Sequence, residues 1–550
     1  MPSAAVLGPV VLPLLAAGAI AAFGLARIDL GRGAAAAGGW SCALALVAVW
    51  VPVRSSVELT LGQLGFGSAF DLRIDGVTFA FGLMVVLPAA VLLTLQPRAW
   101  QESVLSMLAV AAAMAALEGG GAVLTAIAGG TAATLVMVLL DTEDPRAPRP
   151  SWGLLLAGWL ALAWVGVILQ VSGGTAIYSA VPVSAVSVPV FTLLATAAVV
   201  ASCMFPWRTW PAQLWSRPSL RAAGVSMATL YPLGFYVLVR GYELGGGRYP
   251  HVALNVALSV IGLIAALAAG VRAQGAATRR EFLGEVIPGF GGFALMAIAL
   301  GTPLGLAAGL VVLATAAALV ACFALLPDRA GAASLLAIAA AVGLPPSITF
   351  GGRVIGIEAT FEAGDFLGLI GVLGAAAWAV WMVGSARAIG LPGGRGHPAA
   401  ETFPRISMAI AAAIVGAGPG LALFQFGFVN PVVAEVMQPP GALSGGLTSV
   451  VTVSSVLPVL TLFAPLLLIG IGIYALGGAS AIRTQSRPAI FSSLAFAYAL
   501  ERFRAAIRTA TVPEQYRSIL NVRELESAAA GGSPVLWLAA VVALAFAATR

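Results

Sequence analysis

The sequence contains no lysine. All 28 of its basic positions are arginine, against 22 acidic residues in 550. Charged residues make up only 9% of the chain, where a soluble domain carries about 25%, so a solvated globular domain is excluded. Cysteine is limited to Cys42, Cys203 and Cys322, each inside an apolar run, which fits small apolar packing residues and excludes a disulfide framework. Histidine is limited to His251 and His397, at expected helix ends or loops. Without a His/Cys cluster the chain offers no ligand set for zinc, haem or an iron–sulfur centre, so no metal and no cofactor are expected. The net charge of +6 reads as loop arginines that fix topology, not as a nucleic-acid surface.

What is present is hydrophobic length. Apolar residues are 60% of the chain and the mean hydropathy is +1.00. Runs of about twenty apolar residues, each long enough to cross a hydrocarbon core of roughly 30 Å, recur throughout. Backbone groups in lipid must be satisfied internally, so the runs are expected to be helices. Spans are expected near 5–26, 34–53, 75–95, 103–117, 121–140, 152–172, 187–205, 221–239, 252–271, 286–301, 304–326, 331–350, 365–386, 406–428, 448–477 and 530–548. This describes an all-α polytopic membrane protein with about 14–16 transmembrane helices. Residues 5–26 read as a first span, not a signal peptide.

Arginine placement sets the expected topology. With the N-terminus outside, the loops assigned to the cytoplasm hold 22 of the 28 arginines. The outer loops hold Arg54, Arg73, Arg240, Arg248, Arg353 and the terminal Arg550. This asymmetry fits a multi-pass protein of a prokaryotic inner membrane. Segment 478–529 departs from the span pattern. It combines an apolar stripe (Phe491, Leu494, Ala495, Tyr498, Ala499) with dense charge, and reads as an amphipathic helix on the cytoplasmic surface. Anionic headgroups or partner subunits would each suit it.

Four stretches carry a family resemblance. FDLRIDGVTFAFGLM at 70–84 is similar to an F-x-x-D-G-L-S-x-x-F span entry, with Asp75 and Gly76 at the start. FPWRTWPAQLWSRPSLRAAGVSMATLYPLGFYVLVR at 205–240 resembles P-F-H-T-W-L-P-D-A followed by P-T-P-V-S-A-L-x-H-A-A-T-M-V-x-A-G-x-Y-L. Pro206, Thr209, Trp210, Pro218, Ala228, Thr229, Gly234 and Tyr236 fall in register. TRREFLGEVIPGFGGFALMAIALG at 278–301 and GLPPSITFGGR at 343–353 follow in the same order. Together they resemble the antiporter-like membrane subunits of respiratory complex I, energy-converting hydrogenases and Mrp-type cation antiporters.

The resemblance implies an antiporter-like fold, with an amphipathic surface helix before the last span. It divides the chain into two N-terminal spans with an outer loop (1–74), an antiporter-like core (75–386), additional spans (387–477), the amphipathic segment (478–529) and a final span (530–550). It also implies a site. Family members move protons along buried lysines, a histidine and a glutamate, and a lysine in low dielectric can gain and lose a proton near neutral pH. Here the glutamate position falls on Thr131, the first lysine on Ala201 and a histidine on Ser226. A further histidine and lysine fall on Thr315 and Leu319. Only the position after GLPP keeps a cation, Arg353, and arginine does not release a proton at working pH.

Arg353 is expected to be solvated or headgroup-bound, or paired with Glu358 or Glu362. The residual acids Asp75, Glu118, Asp141, Glu285 and Asp365 all stand at span ends, where solvation is expected. The implied function is a non-catalytic, structural subunit of a complex I-like or hydrogenase-like assembly. Its partners would be other membrane subunits, peripheral redox subunits on the cytoplasmic side, and lipids. Two alternatives stay open. One is active proton or cation translocation through hydroxyls (Thr131, Ser226, Tyr231), water and span-end carboxylates. The other is an unrelated multi-span permease.

Overall fold

The computed structural model describes residues 2–451 except 29–30, 66–67, 96–98, 144–151, 203–213, 216–219, 328–330, 390, 392–402 and 438–445, together with positions 456, 464 and 468. The expected span 530–548, the amphipathic segment 478–529 and almost all of 448–477 lie outside the described residues.

A short turn α1 (Pro2–Ala5) leads into α2 (Gly8–Leu25) and α3 (Gly31–Val53). A hairpin of β1 (Val57–Gly65) and β2 (Ser68–Ile74) follows. Next come α4 (Gly76–Leu95), α5 (Trp100–Glu118), α6 (Ala122–Glu143), α7 (Trp152–Gly173) and α8 (Val188–Ala201). After them stand α9 (Leu220–Leu244), α10 (Val252–Gly275), α11 (Arg279–Ile298) and α12 (Pro303–Ala324). The expected span 331–350 is instead two helices, α13 (Ala332–Val342) and α14 (Ile348–Glu362), followed by α15 (Asp365–Ile389). The region 404–436 is also broken, into α16 (Pro404–Gly416), α17 (Leu421–Phe424), a π-turn Gln425–Val429 and α18 (Asn430–Val436). Among the described residues, twelve helices are long and apolar enough to cross a membrane. The chain is an all-α, multi-pass membrane protein.

Local chemistry sets the helix ends. Thr302 caps α12 by accepting from Gly305 N at 3.1 Å, with Pro303 at the first helical position. Thr278 accepts from Glu281 N at 3.2 Å, while Glu281 reaches back to accept from Ala277 N at 2.8 Å. That pair starts α11 at Arg279, ahead of the expected 286, because a capped polar turn extends the apolar run. α13 stops at Gly343, whose φ of +78° is a left-handed conformation open to glycine.

α9 is the axis of the bundle. Its apolar window is wholly buried, those of α11, α12 and α4 nearly so, and α2 lies at the periphery. α9 packs against α4, α8, α12, α6 and α5. The hairpin closes one end: Gly120 N donates to Asp71 O, and Tyr178 N donates to Gly120 O, both at 2.8 Å. The glycine turn after α5 therefore joins the edge of β2. A Cβ on Gly120 would stand 2.5 Å from Asp71 Oδ2, so this close approach requires glycine.

Candidate functional site

The positions where the resemblance places proton-handling groups do not converge. Thr131 is exposed on the outer face of α6, and its hydroxyl donates to Ile127 O in its own helix at 2.8 Å. Ala201 ends α8 and is buried. Ser226 is buried in α9, and among the described residues its hydroxyl has no hydrogen-bond partner. Thr315 is buried but donates to Val311 O in its own helix at 2.8 Å, and Leu319 is fully buried. Tyr231 donates to Ile287 O at 2.9 Å.

Solvation was the expectation for the span-end acids, and the structure corrects it for three of them. Asp75 and Glu118 have no exposed surface, and Glu285 is nearly buried with Arg272 Nε 2.9 Å from its Oε2. Asp141 is half-buried at the end of α6. The side chain of Asp365 lies outside the described residues.

Asp75 is the centre of a buried ionic cluster. Arg240 of α9 donates from NH2 to Asp75 Oδ1 at 2.7 Å, and its NH1 stands 2.7 Å from Oδ2. Arg73 of β2 brings Nε to 2.9 Å from Oδ2. Thr78 N donates to Asp75 Oδ1 at 2.8 Å, because the acid caps the first turn of α4. Arg240 also donates to Glu243 Oε2 at 2.5 Å, to Thr78 Oγ1 at 2.9 Å and from Nε to the Tyr236 hydroxyl at 3.0 Å. Arg73 contacts Glu435 of α18, and its NH2 lies 3.4 Å from Glu243 Oε1. Tyr236 in turn donates to Leu117 O, the last turn of α5, at 2.6 Å. One cluster therefore ties β2, α4, α5, α9 and α18 together.

Burial alone would raise the Asp75 carboxyl. The Arg240 and Arg73 guanidiniums and the Thr78 N–H outweigh it and hold the group below the usual carboxylate range. The carboxylates of Asp75, Glu243 and Glu435 approach one another closely enough to share a metal ion. The Arg73 and Arg240 guanidiniums already contact the same three groups and offset two of their three negative charges, and Glu58 Oε1 adds a further carboxylate 3.5 Å from Arg73 Nε.

Glu118 differs. It is the last residue of α5 and has no exposed surface, and among the described residues neither carboxyl oxygen has a hydrogen-bond partner. A carboxylate at a helix C-terminus also faces the negative end of the helix dipole.

Arg353 is a second correction. It is buried, not solvated, and is not paired with Glu358 or Glu362. Its NH1 donates to Val342 O at 2.6 Å and its NH2 to Ala341 O at 3.1 Å. The guanidinium lies over the rings of Phe290 and Trp378, at 5.2 and 5.4 Å from their centroids.

The sequence places Arg73 and Arg240 among the outer-loop arginines, and nothing in it singles out Glu243 or Glu435. The alternation Val57, Leu59, Leu61 against Glu58, Thr60, Gly62 marked the hairpin that carries Arg73 into the interior.

Solved structures share this architecture. A chain of the Mrp complex from a Dietzia species superposes with a TM-score of 0.74 at 19% identity, covering 95% of this chain and 62% of that one. The chain has the antiporter-like fold. It spans less than two-thirds of that Mrp chain's length. A chain of the membrane-bound sulfane sulfur reductase, an archaeal respiratory membrane complex, superposes with a TM-score of 0.61 at 19% identity, over 75% of this chain and 74% of the other. A chain of respiratory complex I from Thermus thermophilus superposes with a TM-score of 0.64 at 18% identity, over 80% and 100% respectively. No protein-family model matches the sequence, and no curated protein does. Identities this low establish the fold alone.

Proposed function

We propose that the chain is a structural, antiporter-like subunit of a multi-subunit respiratory membrane assembly, with a degenerate proton path. The carrying observation is the middle of the bundle's most buried helices. α4 and α12 contain no carboxylate, histidine or arginine at all. α9 has none between Ala222 and Val239, and α11 none between Val286 and Ile298. A proton crossing this core would meet hydroxyls there: those of Thr229, Tyr231 and Thr315 are bonded to backbone carbonyls, and that of Ser226 stands without a partner among the described residues. Buried charge is instead gathered at helix ends, where it joins elements.

The Mrp and complex I likenesses support neighbouring membrane subunits as partners. Peripheral redox subunits would dock on the arginine-rich side, which is the cytoplasm if the N-terminus faces outward in an inner membrane. The segment 478–529 is the proposed anchor for them. In this reading the chain carries no redox centre and performs no catalysis.

The test is proton pumping by the reconstituted assembly with and without this chain. The expected result is retained pumping per assembled complex. Abolished pumping with the remaining subunits still assembled would overturn the reading.

Active translocation is a second reading, favoured by Glu118. Among the described residues Glu118 has no donor, and an ionised carboxylate without one is costly, so this acid would release a proton only when its surroundings change, as a transport cycle requires. If it does so in transport, Glu118→Gln abolishes a proton flux that the unaltered chain shows in proteoliposomes.

A further inference from the structure

Arg353 has an arrangement unlike Arg73, Arg240 and Arg272, while Arg279, also buried, donates to the carbonyl of Leu391 and to Ser334 Oγ. Arg73, Arg240 and Arg272 each contact a carboxylate, whereas among the described residues Arg353 meets none. Its surroundings are the C-terminal end of α13, where the chain breaks at Gly343 before re-entering a helix at Ile348. The last carbonyls of a helix have no partner within it and carry partial negative charge. Here each finds one from outside the helix. Thr349 Oγ1 donates to Ala340 O at 2.8 Å, Arg353 NH2 to Ala341 O, and Arg353 NH1 together with Trp378 Nε1 (2.7 Å) to Val342 O. Two aromatic faces, from α11 and α15, complete the enclosure, and an aromatic face attracts a cation.

In transporters, the carbonyl ends of broken helices coordinate exchangeable cations. We propose that the α13 break is a cation-binding seat which the chain fills from within, with the Arg353 guanidinium as a tethered, non-exchangeable occupant. The shape of the seat selects the chemical class. Two carbonyl oxygens, one of them shared with an indole N–H, are too few ligands for a hard inorganic cation, which needs a near-complete oxygen shell. A planar, weakly hydrated cation that donates sideways to carbonyls while stacking on rings fits. The seat is therefore selective for guanidinium-type cations over sodium. Its occupation locks α13, α14, α11 and α15 in one arrangement, and this holds whether or not the chain moves protons.

The test is rescue. Arg353→Ala and Arg353→Gln are made in the full chain, and the thermal unfolding midpoint is followed in detergent during titration with guanidinium chloride over the low-millimolar range. Sodium chloride and choline chloride are added at matched ionic strength as controls. Arg353→Gln keeps an amide donor and part of the aliphatic stem without the charge, on a shorter side chain, so it provides the readout if the alanine variant does not fold. The expected result is a lowered midpoint that millimolar guanidinium raises in the charge-free variants, with sodium weaker and choline inert. The unaltered chain should not respond. Midpoints in both variants that ignore guanidinium would overturn the proposal. So would an unaltered chain that responds as strongly as they do, or sodium rescuing as well as guanidinium.

Discussion

Arg240 and Arg353 are both buried guanidiniums, and the protein accommodates them by opposite means. Arg240 sits among carboxylates, with Asp75 and Glu243 in direct contact and Arg73 and Glu435 extending the network. Arg353 sits among backbone carbonyls and rings with no opposite charge. In the first region charge joins separate elements, since the bond from Arg240 to Asp75 spans 165 residues and that from Arg73 to Glu435 spans 362. In the second it repairs a local defect, the open end of a short helix. Neither region presents a lysine that could exchange a proton. In both, arginine supplies positive charge that is permanent and geometrically exacting.

The contrast is broken most severely at Asp75. Asp75→Asn removes the fully buried carboxylate that Arg240 and Arg73 share, and leaves them only the more exposed Glu243, Glu435 and Glu58 as charged partners. A loss of about 3–5 kcal/mol is expected, as for breaking a buried ion pair from one side. A large drop in the thermal unfolding midpoint of the detergent-solubilised chain would show it.

Acid titration sharpens the same point. Asp75 binds a proton less readily in the folded chain than unfolded, so its contribution is complete above the ordinary carboxylate pKa of about 3.9. It declines as pH falls from there through the lower folded value. Stability should fall with acid in that window, and Asp75→Asn should flatten the slope. An unchanged slope would separate Asp75 from the acid response.

Smaller effects are expected at the helix break. Gly343→Ala places a Cβ at a φ of +78°, at a cost of roughly 1–2 kcal/mol. Trp378→Phe removes one of two donors to Val342 O and should cost about 1 kcal/mol, with Arg353 still in place. Thr131→Val should change stability within about 0.5 kcal/mol, because the side chain is exposed and bonds only to its own helix. Loss of assembly from that substitution would instead mark the outer face of α6 as an interface.

Much of the fold was legible in the sequence, because a membrane reduces the problem to apolar length and helix punctuation. The run from Gly76 to Leu95 and the capped start at Pro303 are visible without coordinates. The break of 331–350 is marked by GLPP but reads as one span in the sequence, since hydropathy averages across the five residues between the two helices. The candidate site was less legible. Asp75 and Arg353 stood out by residue type, yet both were expected to meet solvent. Residue type does not reveal that Glu435 returns to the start of α4, or that the partners of Arg353 are carbonyls, which every residue carries alike. Glu118 was visible as an acid before three glycines, but its lack of partners is a property of packing.

The central claim is that no proton path crosses this chain, and the most direct measurement is proton flux through the purified full chain in proteoliposomes under an imposed membrane potential, followed by an enclosed pH-sensitive dye. The account predicts a flux equal to that of protein-free liposomes, unchanged by Glu118→Gln. A flux well above that background, abolished by Glu118→Gln, would contradict it.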